Sequence, residues 1–268
     1  MPHPHTNKTC KMPKLPTEHN FLDLSDYGRP IARQIASRLK HTKITPIDVT
    51  LVFILSGLVA IYCILNNQFW AALFFLIVKS ILDAADGELA RQKNTPSYTG
   101  RYLDSVADIA LNLLILLSIC HVTQGQLVLT LLAFVGMQLQ GTLYNYYHVI
   151  LRNNNNGDTT SRIFEIAPPS ALPGEKQSHV NILFAIYYFC YGLFDKFIYQ
   201  LDKGASNDVY LPSWLMTMVS VFGLGFQLLI IGVLLSLGFA TYIVPFFIFS
   251  SLFIFVFIFI RKEINPKI

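Results

Sequence analysis

The sequence predicts an all-α, polytopic transmembrane helical bundle of six or seven spans, preceded by an N-terminal amphipathic helix at the membrane interface. Three observations predict it. Hydrophobic residues make up 53% of the 268-residue chain and charged residues only 13%, more apolar than an ordinary soluble domain. Apolar runs of bilayer-crossing length recur along the chain. The polar links that punctuate these runs carry basic residues. The net charge of +4 suits an anionic membrane surface, and no separate basic domain for nucleic acid is visible. Cys10, Cys63, Cys120 and Cys190 are scattered, three of them inside apolar runs, and form neither a disulfide framework nor a zinc site.

In chain order, residues 1–24 read as a disordered cytoplasmic tail, rich in Pro, His, Lys and Thr and without an apolar core; its His3 and His5 are incidental. Residues 25–43 read as the interfacial helix. Ser25 or Asp26 caps it, it starts near Tyr27, and Pro30 lies in its first turn. Ile31, Ile35 and Leu39 form its apolar row, while Arg29, Arg33, Arg38 and Lys40 supply a basic face for anionic headgroups. Residues 44–262 form the transmembrane domain. Its first spans cover 46–65, 69–91, a stretch from Tyr98 onward, and 126–150. The link through Lys93, Asn94, Thr95 and Pro96 is short, polar and basic.

The last turns of the fourth span carry Tyr144, Asn145, Tyr146, Tyr147 and His148, an aromatic belt or, alternatively, part of a cavity wall. Residues 152–178 read as an unstructured connection in which Arg152 and Arg162 are candidates to meet a phosphate. Further apolar runs cover 181–199, 213–236 and 241–260. Six spans return Arg261, Lys262 and Lys267 to the cytoplasm; seven leave them outside, against the positive-inside rule.

The chemistry concentrates in residues 81–108, where four aspartates interrupt apolar helices. Asp83 and Asp86 are three apart and Asp104 and Asp108 four apart, so each pair projects from one helix face. Four carboxylates in one pocket need cations to stay ionised, and hard oxygen ligands favour Mg²⁺, Mn²⁺ or Ca²⁺ over zinc. Gly87 leaves the backbone bare, and Arg91, one turn on, can grip a phosphate bidentately. Asp83 lies about 14 residues, or about 21 Å, into its span, which puts the site toward the face carrying Arg91, Lys93 and Arg101. The basic helix before the first span shares that face, which the positive-inside rule makes cytoplasmic.

Asp83, Asp86, Gly87, Ala90, Arg91, Gly100, Asp104 and Asp108 fill every fixed position of D-x-x-D-G-x-x-A-R-x₈-G-x-x-x-D-x-x-x-D, and in this the chain resembles the CDP-alcohol phosphatidyltransferases. The resemblance implies a membrane enzyme of phospholipid synthesis. It would move a phospho-alcohol group from a CDP-alcohol to an acceptor hydroxyl and release CMP, working with two Mg²⁺ or Mn²⁺ ions. It also implies Asp83, Asp86, Asp104 and Asp108 as metal ligands, Asp108 as the base, and Gly87, Arg91 and Ser97 as substrate-binding residues, with a homodimer as the unit. Ile47 and Asp48 depart from the Pro-Asn that many members carry at the start of the first span. The chain length favours CDP-diacylglycerol as donor; phosphocholine or phosphoethanolamine transfer to diacylglycerol is the alternative. From another class, a divalent cation transporter also uses intramembrane aspartates, but such sites lie nearer the midplane on broken helices.

Overall fold

The computed structural model describes residues 21–154, 165, 167–206 and 210–264, and among these every regular element is a helix. Residues 1–20, with the expected tail, His3, His5 and Cys10, lie outside the described residues, as do Arg162 and Lys267.

The first described residues are pinned into the bundle. Asp23 caps a one-turn 3-10 helix, Leu24–Asp26, by accepting the Ser25 N–H (3.1 Å), and also accepts the Tyr144 hydroxyl (2.5 Å). The Leu24 N–H donates to Ser220 Oγ (2.9 Å). The predicted cap of the first helix is therefore corrected. With Ser25 engaged by Asp23 and Asp26 paired to Arg29, α1 (Arg29–Leu39) starts from Gly28 without a side-chain cap. Pro30 lies in its first turn, as the sequence predicts. The fully buried face of α1 is Ala32 and Ala36, packed against Val49, Ala85 and Leu89, small side chains that let helices approach closely. Ile31 is exposed, while Ile35 and Leu39 are partly buried against that cluster.

Helix α2 (Pro46–Leu65) opens with a capping box. Thr45 Oγ1 accepts the Asp48 N–H (3.2 Å) and Asp48 accepts the Thr45 N–H (2.7 Å), satisfying two otherwise orphaned donors. That local need accounts for Asp48. Helix α3 (Phe69–Lys93) stops at Asn94, whose φ of 52° gives the left-handed C-cap that asparagine tolerates. Ser97 then caps α4 (Tyr98–Val122). Next come α5 (Leu127–Asn154), α6 (Gln177–Leu201), α7 (Ser213–Val219), α8 (Leu224–Ser236), α9 (Ile243–Ser250) and α10 (Phe253–Ile264).

By length and apolarity α2, α4, α5, α6 and the stretch Ala240–Ile264 can each cross a membrane, and α7 with α8, bent by 51°, makes a sixth candidate. Helix α3 misses that standard through its charges, not its length of 25 residues; it packs against α1, α2 and α8 within the bundle. A buried apolar cluster including Ile64, Leu76, Ile119 and Leu235 fills the end away from Ser97. A second, including Tyr147, Leu151, Val219 and Phe257, fills the other end. Between them Gln227 Nε2 donates to the Met137 carbonyl and to Gln140 Oε1 (both 3.1 Å), and Gln140 Nε2 donates to Ser250 Oγ (2.9 Å). Buried amides in lipid-length helices are paired in this way because lipid offers them no partner.

The tyrosines near the end of α5 do not form a belt. Tyr146, Tyr147 and His148 are buried; Tyr146 donates to the Asp202 carbonyl (3.0 Å) and Tyr147 to the Asp202 carboxylate (2.6 Å). Asn145 is exposed and Arg152 buried. The connection before α6 is tied down where it is described. Glu165 accepts from Arg101 (2.6 Å) and the Tyr102 hydroxyl (2.7 Å). Glu175 accepts from the Ser97 hydroxyl (2.8 Å) and the Thr99 N–H (2.7 Å). Burial raises the Glu175 carboxyl, but donors from Thr99, Ser97 and Leu172 outweigh it and hold the group below the usual glutamate range.

Candidate metal and phosphate site

The chain turns back at Asn94 and Pro96, and α2 packs against both α3 and α4, so that long side chains from the C-terminal half of α3 and the N-terminal half of α4 converge on one space. Carboxylate oxygens of Asp83, Asp104 and Asp108 lie within 4.8 Å of one another and could hold a metal ion. Asp104 Oδ1 is buried and has no hydrogen-bond partner among the described residues. An orphaned carboxylate oxygen at this depth is costly, and coordination to a cation would satisfy it. The donor set, all carboxylate oxygen, fits a hard divalent ion. Asp86 stands outside this trio. It is 8% exposed, and its Oδ2 accepts the Thr50 hydroxyl at 2.6 Å.

A cation of the chain's own is already present. Lys79, fully buried, donates to Asp108 and lies 4.0 Å from Asp83, with its ammonium 4.9 Å from the centre of the Phe53 ring. An ammonium sealed in a bundle needs an opposite charge, and here it holds the Asp108 carboxylate in one orientation. Sequence reasoning missed Lys79, although a lysine one turn before Asp83 in an apolar run was a usable signal, since intramembrane charges pair with one another.

Asp83, Gly87 and Arg91 recur every four residues on one face of α3. Among the described residues, a Cβ added at Gly87 would meet within 4 Å only the guanidinium of Arg91, at 3.7 Å, so bare backbone faces the space that Arg91 overhangs. Glu88 steadies that arginine (3.0 Å) and also approaches Arg29 of α1 (3.8 Å). Ser97, which the resemblance implies as a substrate contact, makes two contacts within the chain. Its hydroxyl accepts the Gly100 N–H (2.8 Å) while donating to Glu175, so its work is to cap α4 and fasten the α5–α6 connection.

The arrangement combines a cluster of converging acids, an internal ammonium, a bare helix face and an arginine, which suits a phosphate ester bound through cations. Among curated proteins none matches the chain. The sequence profile described as CDP-alcohol phosphatidyltransferase matches residues 43–224, a segment that begins just before α2, reaches the first residue of α8 and contains Lys79, the four aspartates, Gly87, Arg91 and Ser97. The chain therefore belongs to the CDP-alcohol phosphatidyltransferase family.

Proposed function

We propose that this protein transfers a phosphatidyl group from CDP-diacylglycerol to the hydroxyl of a small polar alcohol, releasing CMP, as a step of phospholipid biosynthesis. The observation that carries the reading is the convergence of Asp83, Asp104 and Asp108 within 4.8 Å beside the bare face of α3. Asp83, Asp86, Asp104 and Asp108 would hold two Mg²⁺ or Mn²⁺ ions, with Asp86 giving up the Thr50 hydroxyl to do so. When bound, these ions supply charge neutralisation for the pyrophosphate and for the departing CMP.

The chain's residues do the rest. Gly87 lets the nucleotide lie against the backbone, and Arg91 binds a phosphate oxygen through its fork of N–H donors. Asp108 takes the proton from the acceptor hydroxyl as the phosphorus–oxygen bond forms. Lys79 keeps that carboxylate aimed through its hydrogen bond. We assign Ser97 to the α4 cap.

Purified protein given CDP-diacylglycerol with serine, inositol, inositol phosphate or glycerol phosphate should release CMP with at least one of them. Product only from CDP-choline or CDP-ethanolamine with diacylglycerol would overturn the donor, and divalent-ion flux without CMP release would overturn the reaction.

Two further results are expected. Chelation should stop CMP release and Mg²⁺ or Mn²⁺ should restore it, whereas Asp104→Ala should stay inactive at excess metal; full activity after stripping and chelation would sink the two-ion assignment. Lys79→Met should lower kcat about 10- to 100-fold, the usual cost of losing a group that orients a ligand. It should also lower the metal-free melting temperature, because Asp108 loses its buried partner, and added Mg²⁺ should close that gap. A variant matching the parent in both would leave Lys79 no positioning role.

A further inference from the structure

Helix α6 has the length and apolarity of a membrane span, yet its two ends are at one end of the bundle. At its start, Glu175 is bonded to Ser97 and Thr99, the first residues of the α4 turn. Midway, the Tyr191 hydroxyl donates to the Ser105 carbonyl (3.0 Å), still within the first turns of α4. Just past its last residue, Asp202 accepts from Tyr147 (2.6 Å). Tyr147 lies seven residues before the end of α5, a depth of about 10 Å. Asp202 also pairs with Arg261 near the end of α10, and Lys262 Nζ donates to the Leu201 carbonyl (3.1 Å). Antiparallel packing puts the start of α4, the end of α5 and the end of α10 on the same side, since Tyr147 and Arg261 meet at one aspartate. A helix of 25 residues is about 37 Å long. Both ends can stay within about 10 Å of one bundle end only if its axis runs across the bundle.

We infer that α6 lies in the plane of the membrane on the side that carries the aspartates, its outer row immersed in the acyl chains of that leaflet, and that the chain crosses six times. The crossings are α2, α3, α4, α5, the bent pair α7–α8, and α9–α10. The outer row is Ile182, Ile186, Phe189, Leu193 and Phe197, with Phe189 87% and Leu193 74% exposed. These positions recur at three- and four-residue steps, the pattern of an apolar face. By itself the row suits a crossing or a lying helix. Exposed Lys176 and Lys203 bracket the two ends, as basic residues do when both ends of a helix meet the headgroups of one leaflet. The inner face packs Val180 and Phe184 against Tyr102, so α6 forms an outer wall along the start of α4. The six-fold count brings Arg261 and Lys262 to the side of Arg33, Arg38 and Lys93, in accord with the positive-inside rule.

Single cysteines at Ser178, Ser206, Lys262 and Gln124, in sealed vesicles of one orientation, should separate the alternatives, counting only labelling by an impermeant thiol reagent above that of the parent. Ser178→Cys, Ser206→Cys and Lys262→Cys should label at least tenfold more from one side, and Gln124→Cys from the other. Opposite-side labelling of Ser178→Cys and Ser206→Cys would overturn the inference. A second variant reads depth directly. Phe189 is at the middle of α6, so Phe189→Trp in bilayers of brominated phosphatidylcholine should be quenched most by bromines near the headgroup. Strongest quenching by mid-chain bromines would make α6 a crossing, and absence of quenching would remove the lipid contact.

Discussion

Asp108→Asn is expected to slow CMP release roughly a hundred- to ten-thousand-fold, the range over which a positioned general base acts, while the purified variant keeps its helical content and still binds the CDP-alcohol. Asparagine preserves the side chain's size and one oxygen ligand but cannot take a proton. The pairing with Lys79 adds a second consequence of the change, because a neutral amide takes away the carboxylate that the buried ammonium bonds and leaves Asp83, 4.0 Å away, as its ion pair. The double variant Asp108→Asn with Lys79→Met separates the two effects. If the loss is that of the base, the double variant stays as slow as the single one; if the loss is a stray ammonium in the site, the double variant recovers. Near-parental turnover of Asp108→Asn at saturating substrate would take the base role from Asp108 altogether.

The largest stability effect is expected far from the chemistry. Arg261 is 2% exposed and Asp202 fully buried; the guanidinium meets both carboxylate oxygens, and Tyr147 adds its hydroxyl. Arg261→Met would leave an uncompensated carboxylate in an apolar cluster, at a cost of about 3–5 kcal/mol. Thermal unfolding in detergent should show a clear drop in melting temperature. Because the pair itself contributes little net stability once its desolvation is counted, Asp202→Asn combined with Arg261→Met should recover most of that drop. A single variant as stable as the parent would mean that the carboxylate has other means of compensation.

The helical class and the aspartate motif were legible because each has a local signature. An apolar run of span length is visible without partners, and an acid inside such a run is conspicuous because lipid penalises it. The stop at Asn94 and Pro96 and the restart at Ser97 are likewise local. The role of Lys79 was not legible, since its partner Asp108 lies 29 positions away on another helix, and it is α2, packed against both α3 and α4, that brings the two side chains within reach. The ties of Glu165 and Glu175 to the start of α4 were hidden for the same reason, since they join residues 63 to 78 positions apart. The direction of α6 was hidden more deeply, because hydropathy records how long and apolar a segment is and carries no information on how its axis lies. Thr45 and Asp48 were different: a threonine followed three residues later by an acid is a helix-start signal in its own right, weighed in the sequence only as a departure from a family pattern.

The seating of the N-terminal turn bears on the order of events during synthesis. Leu24 waits for a partner 196 residues later and Asp23 for one 121 residues later. At roughly 5–20 residues per second, translation reaches Ser220 about 10–40 s after Leu24. Tyr144 appears only part-way through that interval and Ser220 only at its end, followed by Gly225, whose bare backbone lies against Ser25. This early segment is thus among the last to lock, and ribosome-bound chains halted before α7 should leave it open to protease while chains completed through α8 protect it.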